Sequence, residues 1–110
     1  MKSYTDLKQS EVLAEFLSYK TADMYYWCGE DLRIGGYKAM DIDYDTPCWS
    51  LAALLSVLPK GIVLLKNSKD ATYSVFSTDF ENVDIKIQWY DNPIDACVDM
   101  VIKLREQKLL

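Results

Sequence analysis

Three acids alternate in the stretch Asp41-Ile42-Asp43-Tyr44-Asp45, the spacing with which a calcium-binding loop begins. Carboxylates so placed suit a hard divalent cation, which is held by several oxygen ligands. Such a loop also needs a glycine at its sixth position for a sharp turn and a bidentate glutamate at its twelfth. Here those positions are Thr46 and Ala52, so the match fails where the geometry is strictest. What remains reads as an acidic strand with Asp41, Asp43 and Asp45 on one face and Ile42 and Tyr44 on the other. Solvation is the plain reading of that face; a weak Mg²⁺ or Ca²⁺ contact or a basic partner are the functional ones. No resident metal or cofactor is expected.

Other catalytic groups are sparse. The chain has no histidine, which removes the usual general base, the Ser-His and Cys-His nucleophile pairs and the commonest zinc ligand. It carries neither a glycine-rich phosphate loop nor a dinucleotide fingerprint. Cys28, Cys48 and Cys97 are odd in number and widely spaced, which suits neither a disulfide framework nor a paired metal motif. Buried reduced thiols are the simplest expectation. We therefore expect no enzyme; a divalent-metal-dependent activity is the least favoured alternative.

The net charge of −5 over 110 residues repels phosphate backbones, and no dense Lys/Arg cluster opposes it, so direct nucleic-acid binding is not expected. An acidic inhibitor that imitates DNA is an alternative, requiring Asp41, Asp43, Asp45, Glu30 and Asp31 in one surface row. The segment MKSYTDLKQSEV has no signal-like apolar run, and the apolar block Leu51 to Leu58 is too short to span a bilayer. A soluble, cytoplasmic protein without a membrane partner is the expectation.

The elements that must position these residues are legible in part. Half the residues are apolar and 13% aromatic, enough for one core in one α+β domain spanning residues 1–110. Leu7, Val12, Leu13, Phe16 and Leu17 recur at helical spacing, predicting a helix capped by Thr5 and running toward Lys20. The aromatic stretch that follows predicts extended structure from Met24 to Cys28 and from Tyr37 to Tyr44, with Gly35-Gly36 as a hairpin turn. Thr46-Pro47 reads as the start of a buried central helix with Trp49 as its third residue, closed by Pro59. The runs GIVLLKN, ATYSVFS and VDIKIQWY predict an antiparallel meander; Val83, Ile85, Ile87 and Trp89 alternate with polar residues. Asn92, Pro93 and Asp95 open a final helix, with an Asp99-Lys103 pair outside.

The segment YYWCGEDLRIGGY offers Tyr25, Tyr26, Trp27 and Tyr37. If exposed, these large amphipathic rings suit a protein interface; if buried, they fill the core beneath a small sheet. The core is the favoured expectation for them.

Three pieces, TADMYYW, TPCWSLAALLSVLP and DNPIDACVDMVIKLREQKLL, carry a resemblance over most of the chain. They resemble a family of small uncharacterised proteins from prophage and mobile-element regions of gut bacteria. In that family a Trp-Ser-Leu helix opens after a proline, ends in Leu-Pro, and is followed by strands and a closing helix. Those features fall on Pro47, Trp49, Ser50, Leu51, Leu58 and Pro59, then on Pro93, Asp95 and Ala96. The resemblance implies a phage-related accessory role and assigns no catalytic or binding residue. The function expected is a small acidic protein-interaction module, with a protein partner or a second copy of itself.

Overall fold

Asp6, rather than Thr5, begins the first helix, α1 (Leu7–Ala14): its carboxylate accepts the Gln9 N–H at 2.8 Å and the Gln9 side chain accepts the Asp6 N–H at 3.1 Å. This reciprocal capping box satisfies two donors that a helix start leaves without partners. The helix stops well before Lys20, correcting the longer helix the apolar spacing predicts. Ser18 accepts the Lys20 N–H and caps a separate 3₁₀ turn, Tyr19–Thr21, a local alternative to continued helix. Phe16 and Leu17 still pack against the core from this broken stretch. The computed structural model describes residues 2–77, 88–108 and 110.

A hairpin of β1 (Met24–Trp27) and β2 (Asp31–Ile34) follows, with Met24 opposite Ile34 and Trp27 opposite Asp31. Its turn is made by Cys28 (φ 51°) and Gly29 (φ 73°), not by Gly35-Gly36 as expected. The expected strand from Tyr37 to Tyr44 is also absent: these residues form turns, with the Ala39 N–H on the Gly36 carbonyl and the Asp45 N–H on the Asp41 carbonyl. Aromatic β-propensity is weak where no neighbouring strand supplies a ladder.

Thr46 and Pro47 belong to β3 (Thr46–Cys48), which pairs antiparallel with β1 and gives the order β2-β1-β3. They do not start the central helix. Pro47 is tolerated because β3 is an edge strand, where a missing N–H breaks no ladder bond. The helix α2 (Leu51–Val57) begins four residues later, with the Ser50 hydroxyl accepting the Ala53 N–H and the Asp23 carboxylate holding Ser50. Trp49 therefore precedes the helix, fully buried.

A second antiparallel sheet is the hairpin β4 (Ile62–Asn67) and β5 (Thr72–Ser77). Tyr90 adds a two-way backbone bridge to Tyr73 on β5, at 2.7 and 2.8 Å. The alternating positions Val83, Ile85 and Ile87 lie outside the described residues. The last helix, α3 (Pro93–Glu106), has Asn92 as its cap and Asp99 bonded to Lys103 at 2.8 Å, as its sequence predicts. It packs on β5 and on α2, while α1 packs on β3. Leu13, Trp49, Leu54, Ile94, Val101 and Leu104 meet in the core of this α+β fold. Among the described residues no helix is long and apolar enough to cross a membrane.

Candidate functional site

Asp45 decides the shape of the acidic stretch. Its carboxylate is buried and accepts the Cys28 N–H on one oxygen and the Asp41 N–H on the other, each at 2.9 Å. One side chain thus pins the β1–β2 turn to the turn formed by residues 41–45. The Cys28 backbone is held in the left-handed region, uncommon for a residue with a Cβ, and this bond offsets part of that cost. The Asp41 carboxylate accepts the Asp43 N–H at 3.1 Å, closing an Asx turn in place of a strand.

Asp41, Asp43 and Asp45 consequently do not share a face. Asp41 and Asp43 are exposed, and Asp45 is a structural residue rather than part of an open surface, which corrects its expected place in an interaction face. Among the described residues no group of three or more Asp, Glu, Cys or His side chains is arranged to hold a metal ion.

The aromatic segment divides between core and surface. Tyr25 and Tyr26 are half-buried, and the Tyr26 hydroxyl donates to the Thr5 carbonyl at 2.7 Å. Burial, with Cys48 beside it, pushes the Tyr26 hydroxyl up to about 12, so it remains a neutral donor. Trp27 and Tyr37 are exposed, contrary to the core expectation. The Arg33 guanidinium sits 5.2 Å from the Trp27 ring, and Tyr19 meets Tyr37 edge-on at 6.2 Å. Trp27 flanks the turn that Asp45 holds, so it joins Ile42 and Tyr44 at one end of the sheet. Those two residues, read from sequence as the back of a strand, are 53% and 72% exposed. The β1–β3 register, with Tyr26 opposite Thr46, and the Asp45 bonds together bring their turn beside Trp27; local pattern carried no sign of it.

The thiols offer no nucleophile in the core. Cys48 is fully buried within a ring of bonds in which its thiol donates to the Thr5 carbonyl at 3.3 Å and the Thr5 hydroxyl meets its sulfur at 3.5 Å. Burial pushes this thiol up despite the neighbouring hydroxyls of Thr5, Ser10 and Tyr26. Burial alone raises Cys97 to about 12. A thiol held protonated and away from solvent is inert. Cys28 is exposed, at the hairpin turn.

A polar cluster joins the starts of α1 and α3. Lys2 bonds Asp6 at 2.9 Å and Asp95 at 3.0 Å, while Gln9 and Asn92 each donate to Asp95 at 2.8 Å. A cavity of about 410 Å³ lined by Lys2, Tyr4, Asp6 and Tyr26 opens beside it, but its cation is already committed to two carboxylates. Burial opposes ionisation of Asp95, yet the Gln9, Lys2 and Asn92 donors and the Lys2 charge hold it below the ordinary 3.8. Asp6 is likewise held low against burial by the Gln9 N–H and Lys2. Their contribution to stability is present above pH 3.8 and lost as pH falls through the lowered values. Burial works against charged Lys2, but Asp6 and Asp95 keep it above 10.5; its contribution is present below 10.5 and lost as pH rises through the raised value. Lys2→Met should flatten the acid limb of a melting-temperature profile and lower stability at neutral pH by about 0.5–1 kcal/mol. An acid limb identical to wild type would mean that the cluster is not what acid disrupts.

Comparison with family models, with curated proteins and with solved structures gave no match.

Proposed function

We propose that the chain is a small acidic protein-interaction module, serving a phage or other mobile element, that presents the β1–β2 turn and the 41–45 turn to a partner bearing basic and apolar groups. The observation that carries this reading is the exposure of Trp27, Ile42 and Tyr44 at one end of the sheet, by 49%, 53% and 72%. Trp and Tyr rings are enriched in binding hot spots, and apolar exposure rimmed by polar residues marks interaction sites. Residues 28–46 add Glu30, Asp31, Asp41, Asp43 and Asp45 against only Arg33 and Lys38, so a basic partner is attracted. The same charge disfavours a second copy meeting this face with its own. The resemblance to mobile-element proteins supports the proposed setting.

The DNA-mimic alternative needs Asp41, Asp43, Asp45, Glu30 and Asp31 in one exposed row. With Asp45 turned inward that row is incomplete, and the apolar side chains between the acids favour a protein partner.

Affinity capture from a host lysate with wild type, Trp27→Ala and Tyr44→Ala tests the reading. The expected result is a basic protein retained by wild type, released by salt, and weakened at least tenfold by either substitution. No retained protein, or one indifferent to both changes, would count against it. Tyr26→Ala is a poor probe, since it also removes the donor to the Thr5 carbonyl.

A further inference from the structure

A groove of about 390 Å³ adjoins this surface, between the end of α1, the 3₁₀ turn and β3. Ala14, Leu17, Ile42 and Pro47 form apolar walls and Tyr19 adds a ring. Two carboxylates, Glu11 and Asp45, also line it, and among the described residues no lysine or arginine does. Neither carboxylate is in a salt bridge among the described residues. Asp45 is 9% exposed, and its two bonds come from neutral backbone N–H groups, which stabilise the charge without cancelling it. A buried carboxylate usually has a cationic partner; among the described residues none is supplied.

We propose that the groove receives an arginine side chain of the partner protein. The inference rests on the interaction-module reading and names the chemistry by which that module selects its partner. Apolar walls match the methylene stem, and the exposed Glu11 carboxylate can meet the charged head, with the buried Asp45 charge in the groove lining adding to the attraction. Guanidinium suits the site better than ammonium because it is more weakly hydrated and stacks on an aromatic face such as Tyr19. Ile42 lines the groove and is also part of the exposed surface, so one contact would cover both.

The test titrates the full chain with the acetylated, amidated peptide Leu-Arg-Leu and with its citrulline counterpart, of nearly the same shape but uncharged, following backbone amide shifts by NMR. The expected result is saturable shifts at Ala14, Leu17, Tyr19, Ile42 and Thr46, at least fivefold weaker affinity for the citrulline peptide, and at least threefold weaker arginine binding by Glu11→Gln. No saturable shift at these residues, equal response to both peptides, or an unchanged Glu11→Gln affinity would each overturn it. The two readings fail separately. If lysate capture depends on Trp27 and Tyr44 while the groove ignores arginine, the groove assignment falls and the interaction surface stands; groove binding without any captured partner gives the reverse.

Discussion

Trp49→Ala is expected to destabilise the protein by about 3–5 kcal/mol. Trp49 is fully buried in the core with Leu13, Leu54 and Ile94, so truncation removes apolar contact and leaves a cavity. Its indole N–H also donates to the Thr21 hydroxyl at 2.9 Å, and Thr21 in turn donates to the Ser18 carbonyl at 2.6 Å. The ring therefore fastens the 3₁₀ turn that walls the groove. Against a total stability of roughly 5–15 kcal/mol for a domain, the loss is severe. Trp49→Phe keeps most of the apolar volume and forfeits the N–H bond, and should cost about 1–2 kcal/mol. Urea unfolding followed by far-UV circular dichroism measures both. Near-equal losses would mean that the indole N–H, and not the ring volume, dominates.

Thr5→Val should cost about 2–3 kcal/mol although it keeps the shape of the side chain. Thr5 is fully buried; its hydroxyl accepts the Trp49 N–H at 3.1 Å and lies 2.8 Å from the Ser10 hydroxyl. Valine leaves that backbone N–H without a partner where no water reaches it. Thr5→Ser retains the hydroxyl and loses one methyl group, a change of about 1 kcal/mol. Valine should therefore destabilise more than serine. The opposite order would show that Thr5 acts through methyl packing. The neighbouring bond from the Thr5 N–H to the Trp49 carbonyl, at 2.9 Å, is backbone and survives both substitutions.

The residues that mislead sequence reasoning are those whose partners lie far along the chain. Thr5 precedes an apolar-periodic run and reads as a cap, but its hydroxyl is drawn to residues 43 and 44 positions away. Asp6 then takes the cap, with Gln9 as its local partner. Thr46-Pro47 has the pattern of a helix start, and β1 takes it instead as an edge strand. The 37–44 stretch has the aromatic composition of a strand but no ladder to join. For the interaction surface, Trp27 and Tyr37 were legible as candidates by residue type, whereas Ile42 and Tyr44 became so only with the loss of the strand.

Features built from neighbours were legible before folding: the Asn92-Pro93-Asp95 start of α3, its Asp99-Lys103 pair, the hairpin of β4 and β5, and the acidic charge. Caps, helical periodicity and short antiparallel connections act over a few residues, so the order of side chains is enough to specify them. The tertiary structure alone decided the inward turn of Asp45, whose bond to the Cys28 N–H spans 17 positions, and the burial of Thr5 and Trp49. Burial takes the Asp45 carboxylate out of water so that it needs donors, and the Cys28 N–H comes within its reach only once the chain has folded. The three alternating acids that imitate a calcium loop thereby separate into two exposed charges and one internal clamp.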